Sequence, residues 1–322
     1  MADPPDQQTV LVTGANGFVG RALVARLAAD PRFEVRATMR RGIQDVPQHV
    51  VPVHAMDLEK GADFREALRG VSCVIHAAAR VHVSSDHEQS DIAEFRRINV
   101  EGTRQLAEQT AVMGVRRLVF VSSVKVNGEH TRPGMPFRAS DTPHPECAYG
   151  VSKWEAEQAL ARVAKETGLE VVVIRPPLAY GPGVKANFLR LIRLVRKGWP
   201  LPLTRVDNRR SLVALDNLID LLTRCIDHPA AARQTFLASD GEDLSTPELI
   251  RGIADAMGRP PRLYPVPLAI LRGAARMTGR VAEFERLTGS LQVDIQATRE
   301  TLGWEPPISV REGLARAVNG SE

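Results

Sequence analysis

The stretch TVLVTGANGFVG, residues 9–20, restricts the fold of this chain more than any other segment. TVLVTG (9–14) reads as a buried strand, and Val19, Leu23 and Leu27 share one face of a helix predicted over 18–29. Gly14, Gly17 and Gly20 stand at three-residue intervals between them. Glycine permits the tight turn and lets backbone approach a pyrophosphate. The helix that follows offers free N–H groups and a positive dipole end to that anion. A glycine triplet alone is a weak signal. After the first strand of a strand–helix–strand unit it predicts a dinucleotide site made of Gly14, Asn16, Gly17, Phe18, Val19 and Gly20.

The same alternation continues through the first half. Strands are expected at 34–40, 50–57, 71–79, 117–123 and 170–176, and helices at 59–68, 92–113 and 154–167. Strands apolar throughout their length, alternating with helices, argue for a parallel sheet covered on both faces. The expected fold is α/β: a doubly wound (Rossmann) sheet that binds ligands at the carboxyl ends of its strands. After Pro176 prolines cluster and the pattern loosens. A smaller, interleaved C-terminal substrate-binding domain is therefore expected. The dinucleotide-binding domain would span 1–178 with return segments at about 209–240, and the cap 179–208 and 241–322. Within the return segments, SLVALDNL (211–218) and QTFLAS (234–239) are expected to rejoin the main sheet.

The 322 residues, 43% hydrophobic and 25% charged, suit a soluble globular chain. Net charge is +4, and the arginines are scattered, which argues against nucleic acid and suits a small anionic ligand. Cys73, Cys147 and Cys225 lack metal-ligand spacing, so no metal site is expected and a reducing, cytoplasmic setting fits. No apolar run approaches the roughly 18 residues of a membrane span.

At the end of the second strand an NAD site normally carries an acid that binds the ribose hydroxyls. Here that position reads Met39-Arg40-Arg41. A guanidinium pairs well with a 2′-phosphate, so NADP is the preferred expectation and NAD the alternative, with Arg40 and Arg41 as cofactor ligands. Asp57 and Leu58 close the third strand, where an adenine amino group could be read, although Asp57 could equally cap the next helix.

YGVSK (149–153) places a tyrosine and a lysine four apart on one helix face, with Cβ atoms about 5–6 Å from each other. A free tyrosine has a pKa of about 10 and is a poor base near neutrality. A neighbouring ammonium, and the positive charge of an oxidised nicotinamide, are expected to favour the phenolate.

Taken together, TGANGFVG, Asp57-Leu58, HAAA (76–79), NVEGT (99–103), Ser122-Ser123, YGVSK, RPPLAYGPG (175–183) and LGWEPP (302–307) occur in the order seen in extended short-chain dehydrogenase/reductases. The chain resembles their NAD-dependent epimerase/dehydratase branch. SSVKVNGE (122–129) and RPPLAYGPGVKANF (175–188) look most like bacterial nucleotide-sugar 4-epimerases and 4-ketoreductases of surface-polysaccharide synthesis. The resemblance implies that Tyr149 is the acid/base, Lys153 its partner and the holder of ribose hydroxyls, and Ser123 the group bonded to the reacting oxygen. It adds Ala77, Ala78 and Ala79 to the cofactor site, and assigns Asn187 and Arg210 to the substrate's diphosphate. It leaves His76 as lining or packing and Asn99 as a structural residue of its helix. Asn127 stands where the family pattern has tyrosine, Ser211 where it has aspartate and Ala214 where it has histidine.

Related 4,6-dehydratases carry Asp and Glu directly after the catalytic Thr, where this chain has Val124 and Lys125. Dehydration is therefore disfavoured. Reduction of a UDP-4-keto-6-deoxy-hexosamine is the first expectation, because the Arg40-Arg41 end suits NADPH. Epimerisation at C4 of a UDP-hexose or UDP-N-acetylhexosamine with retained NAD is the alternative. Reduction of a small ketone, as in dihydroflavonol-reductase-like relatives, and a non-catalytic sensor role are more distant. A homodimer through the helices at 92–113 and 149–167 is a family expectation. PLAILRGAARMTGR (267–280) mixes apolar and basic residues at helical spacing, which leaves peripheral membrane contact open beside an ordinary cap helix.

Overall fold

The computed structural model describes residues 7–39, 50–54, 62–81, 88–132 and 134–321. Seven parallel strands form the main sheet: β1 (Gln8–Thr13), β2 (Phe33–Met39), β3 (Val50–His54), β4 (Cys73–His76), β5 (Arg117–Val121), β6 (Glu170–Arg175) and, after two strands that lie elsewhere, β9 (Thr235–Leu237). Their order is β3-β2-β1-β4-β5-β6-β9. The chain winds outward from β1 in one direction and from β4 in the other. The switch point therefore lies between β1 and β4, with Thr13 in register with His76 at their carboxyl ends.

Continuous apolar strands pay off on both faces of this sheet. Val10, Val12, Ile75, Val119 and Ile174 point to one side, against Leu23 and Leu27 of helix Phe18–Ala28 and Leu218 and Leu222 of helix Leu215–Arg224. Leu11, Val74, Leu118, Phe120 and Val173 point to the other, against Leu106 of helix Gly102–Val112 and Leu160 and Val163 of helix Ala148–Thr167. The helix expected over 92–113 is three segments in series: Glu88–Phe95, a π-helical turn over Arg96–Glu101, and Gly102–Val112. The helix expected from Trp154 starts six residues earlier, at Ala148, so YGVSK lies wholly inside it.

The two return segments behave differently. QTFLAS joins the main sheet as β9, with Thr235–Leu237 in register with Val173–Arg175 of β6. SLVALDNL does not. Its first residues belong to β8 (Arg210–Ala214), which pairs with β7 (Leu178–Tyr180) and β10 (Asp243–Leu244) in a separate three-stranded sheet. The remainder opens helix Leu215–Arg224, where Leu215, Leu218, Ile219 and Leu222 follow helical spacing. A third core packs beneath the small sheet, with Tyr180, Phe188, Ile192, Leu212, Ile250 and Leu314 at its centre.

Candidate active site

The glycine loop occupies the switch point. Gly14 has φ +73°, and a Cβ there would lie 2.7 Å from the backbone N and Cα of Ala78. A Cβ on Gly20 would lie 2.2 Å from the Gly14 carbonyl oxygen. The loop folds back so that the Gly17 N–H donates to the Gly14 carbonyl at 2.8 Å. No side chain caps helix Phe18–Ala28, whose first backbone N–H groups are left for an external anion. Backbone packed this tightly against Ala77 and Ala78, at an uncapped helix start, fits a dinucleotide pyrophosphate. Phe18 and Val19 are half-buried and Asn16 is exposed. Arg40, Arg41, Asp57 and Leu58 lie outside the described residues.

His76 ends β4 beside this loop. Its ring shares hydrogen bonds with the hydroxyls of Thr13 (2.6 Å) and Thr103 (2.9 Å) and stacks on Phe120 at 5.6 Å. Burial, with the nearby Lys153 charge, lowers its pKa to about 3. A neutral, doubly bonded histidine is a packing element, as the sequence reading has it.

Ser123 follows β5 and opens a single 3-10 turn, Val124–Val126, in which its hydroxyl accepts from the Lys125 N–H at 3.3 Å. That turn rests on the start of helix Ala148–Thr167. A Cβ on Gly150 would lie 2.7 Å from the Lys125 carbonyl oxygen. Cys147 is the N-cap of the helix, and its sulfur accepts from the Gly150 N–H at 3.4 Å and from the Lys125 ammonium at 3.6 Å. Ser123 and YGVSK, 26 residues apart in the chain, are thereby clamped together.

Tyr149 meets Phe95 edge-on at 6.0 Å. Its hydroxyl has no hydrogen-bond partner among the described residues, which leaves it for a ligand. Lys153 is buried with its ammonium 3.8 Å from the centre of the Phe120 ring. Asn99, on the π-helical turn, fixes the helix from the side: its amide donates to the Ser152 hydroxyl and to the Arg80 carbonyl, both at 3.0 Å, and accepts from the Arg80 N–H.

The electrostatics differ from the sequence expectation. Burial, and secondarily Cys147, raises Tyr149 to about 12 rather than lowering it. Burial also lowers Lys153 to about 7, against the opposing pull of Glu157. An amine already partly neutral cannot pull the phenol down strongly. A phenolate at Tyr149 would therefore need a positive charge beyond that of Lys153.

Val124 is buried, and the Lys125 ammonium pairs with Glu129 at 3.0 Å. Asn127 fills the place of the family tyrosine by bonding to Arg175 (3.1 Å) and to the Arg138 carbonyl (2.8 Å). Ser211, in place of aspartate, bonds to Asp243 and accepts from the Val293 N–H.

Asn187 and Arg210 stand on the other side, with the small sheet. Asn187 is exposed at the start of helix Ala186–Arg196, directly after Ala186, which holds the left-handed φ of +52°. Arg210 donates to the carbonyls of Arg286 (2.8 Å) and Gly289 (3.2 Å) and so holds that loop against β8. Burial lowers the Arg210 pKa.

Sequence reasoning missed Thr13, Phe120 and Glu157 as neighbours of the site. Glu157 could have been found, because it lies four residues after Lys153 on the same helix face. Phe120 could not, because its place under the ammonium depends on how helix Ala148–Thr167 packs on β5.

Residues 10–238 match the model of the NAD dependent epimerase/dehydratase family. Over 312 residues the chain is 45% identical to a UDP-glucose 4-epimerase of Vibrio cholerae, covering 97% of this chain and 94% of that protein. It is 28% identical to a GDP-6-deoxy-D-mannose reductase of Pseudomonas aeruginosa, covering 97% and 96% of the two chains. The solved structure of a UDP-glucuronic acid 4-epimerase from Bacillus cereus in complex with NAD has the same fold, with a TM-score of 0.79 at 19% identity and 98% of each chain covered.

Proposed function

The chain belongs to the NAD-dependent epimerase/dehydratase family, and on that premise we propose that it acts at C4 of a nucleotide sugar, interconverting the C4 epimers of a UDP-hexose or UDP-N-acetylhexosamine. The observation that supports this reading is that the turn opened by Ser123 rests, through Lys125, on the start of the helix that carries Tyr149 and Lys153, with Val124 and Lys125 in place of dehydratase acids. The 45% identity to a UDP-glucose 4-epimerase moves the balance from reduction, the first expectation, to epimerisation.

The dinucleotide supplies, when bound, a hydride acceptor at C4 and then a hydride donor. We assign it to the Gly14–Gly20 loop, Ala77–Ala79, Tyr149 and Lys153. Tyr149 takes the proton of the 4-hydroxyl as hydride leaves C4, and gives it back to the same oxygen when hydride returns to the other face. Ser123 holds that oxygen through both halves. Val124 has no proton to exchange and the Lys125 ammonium is tied to Glu129, so the C5 proton and the C6 oxygen are left alone. Asn187 and Arg210 are assigned to the diphosphate. We assign residues 1–178 with about 209–240 to the cofactor and 179–208 with 241–322 to the sugar nucleotide. The helices Glu88–Phe95, Gly102–Val112 and Ala148–Thr167 are assigned to a homodimer seam.

Reduction of a 4-keto sugar is the second reading, favoured by Arg40-Arg41 in place of the ribose-binding acid; it would use NADPH. The test offers purified enzyme UDP-N-acetylglucosamine without reductant, and separately a UDP-4-keto-6-deoxy-hexosamine with NADPH or NADH. Epimerisation predicts a C4 epimer in the first reaction with no net change in reduced cofactor. Turnover only in the second, with stoichiometric loss of NADPH, replaces it by reduction.

A further inference from the structure

Residues 185–206 and 256–282 contain no Asp or Glu, yet carry six and five basic residues respectively. The structure joins them. Leu201 bridges Leu263, with the Tyr264 N–H donating to the Leu201 carbonyl at 3.0 Å, and the Arg259 guanidinium donates to the Arg196 carbonyl at 2.7 Å. Elsewhere arginines find carboxylates, as Arg209 finds Glu248 and Arg316 finds Asp216. Among the described residues none of these eleven side chains makes an ion pair.

The same surface exposes apolar groups. Helix Leu268–Met277 turns Leu268 and Leu271 onto the third core and buries Ala275. Its opposite face presents Ile270, 61% exposed, and Met277, 90% exposed, with Gly273 and Ala274 between them by helical spacing. Trp199 and Tyr264, beside the Leu201–Leu263 bridge, are 59% and 51% exposed. A helix face turned to water alone is normally polar.

We infer that this face docks on an anionic lipid bilayer. Arginines without carboxylate partners meet anionic headgroups, Trp199 and Tyr264 suit the headgroup level, and Ile270 and Met277 enter the acyl boundary. A small anion accounts for the charge but not for the apolar stripe. A second copy placed face to face would set exposed cations such as Arg259, Arg262, Arg272 and Arg276 against their own kind, which argues against self-association here.

The test is flotation of the full chain with phosphatidylcholine vesicles, with and without phosphatidylglycerol. Binding should require the anionic lipid and weaken as salt rises. The double variant Ile270→Glu with Met277→Glu should lose about tenfold or more of that binding, while turnover of a water-soluble nucleotide sugar stays at the parent level. Four results overturn the inference: no binding to anionic vesicles at low salt, equal binding to neutral ones, binding unchanged in the double variant, or a parent oligomer that this variant dissociates.

Discussion

The Lys153 ammonium lies 3.8 Å from the centre of the Phe120 ring, beneath a surface that leaves the lysine 1% exposed. The ring face offsets part of the cost of burying a cation. Burial still depresses the pKa from 10.5 to about 7. Below pH 7 both the folded and unfolded chains hold the proton, and the folded chain bears the whole cost of a buried charge. Between about pH 7 and 10.5 the unfolded chain holds a proton that the folded chain has released, so this cost is relieved as pH rises. Lys153→Met should therefore raise the melting temperature of the cofactor-free protein, and by more at about pH 6 than at about pH 9. Turnover should fall by about 10²–10⁴. Thermal melts at the two pH values check the sign; a lower melting temperature at both would mean that the ammonium is net stabilising.

Tyr149 carries the second prediction. Its phenol is raised to about 12, so in cofactor-free protein it stays protonated well past the ordinary value of 10.0. The absorbance difference between parent and Tyr149→Phe should show no tyrosinate up to about pH 10, where a free phenol would be half ionised. Saturation with the oxidised cofactor should move that signal to lower pH, since a positive ring favours the phenolate. Tyr149→Phe should fold normally and lose about 10²–10⁴ in turnover. A tyrosinate signal near neutrality without cofactor would show that burial does not control this group.

The sheet was legible in the sequence because each inner strand is buried on both faces and reads as an unbroken apolar run, as in VLVT and VVVIR. The glycine loop was legible because its geometry admits no other residue at Gly14. The destination of SLVALDNL was not legible. A short apolar run carries no information about its partner strand, and β8 finds β7 and β10 rather than the main sheet. The spacing of Leu215, Leu218, Ile219 and Leu222 is that of the helix that follows β8. Within YGVSK, the pKa shifts of Tyr149 and Lys153 follow from burial, with Phe95 against Tyr149 and Phe120 under Lys153, which no local pattern encodes.

Gly14→Ala tests the loop. The substitution meets both a positive φ of +73° and backbone atoms of Ala78 at 2.7 Å, neither of which can yield cheaply. A loss of about 2 kcal/mol or more in stability is expected, with weakened cofactor binding. Denaturant unfolding and fluorescence titration with the dinucleotide check the two effects. Unchanged affinity in a folded variant would argue that the cofactor does not lie on this loop.

The last prediction concerns the buried pair beside Ser122. Arg175 donates to both carboxylate oxygens of Glu157, at 3.0 and 2.6 Å, and to Asn127 at 3.1 Å, while the Ser122 hydroxyl also donates to Glu157. Both charged side chains are at most 5% exposed. Removing one leaves the other buried and uncompensated, at a cost of about 3–5 kcal/mol. Glu157→Gln and Arg175→Met should each show a loss of that order in denaturant unfolding. The double variant Glu157→Gln with Arg175→Met should lose less than the two single losses combined, because the two charges leave together and only the Asn127 amide oxygen is left without its partner. Glu157→Gln should also weaken Lys153's hold on its proton, since Glu157 is the charge that opposes its depression. Its pH–rate profile should then shift in the limb assigned to Lys153, which simple loss of stability would not cause. Strict additivity across the cycle would mean that the contact seen between Glu157 and Arg175 carries no coupling.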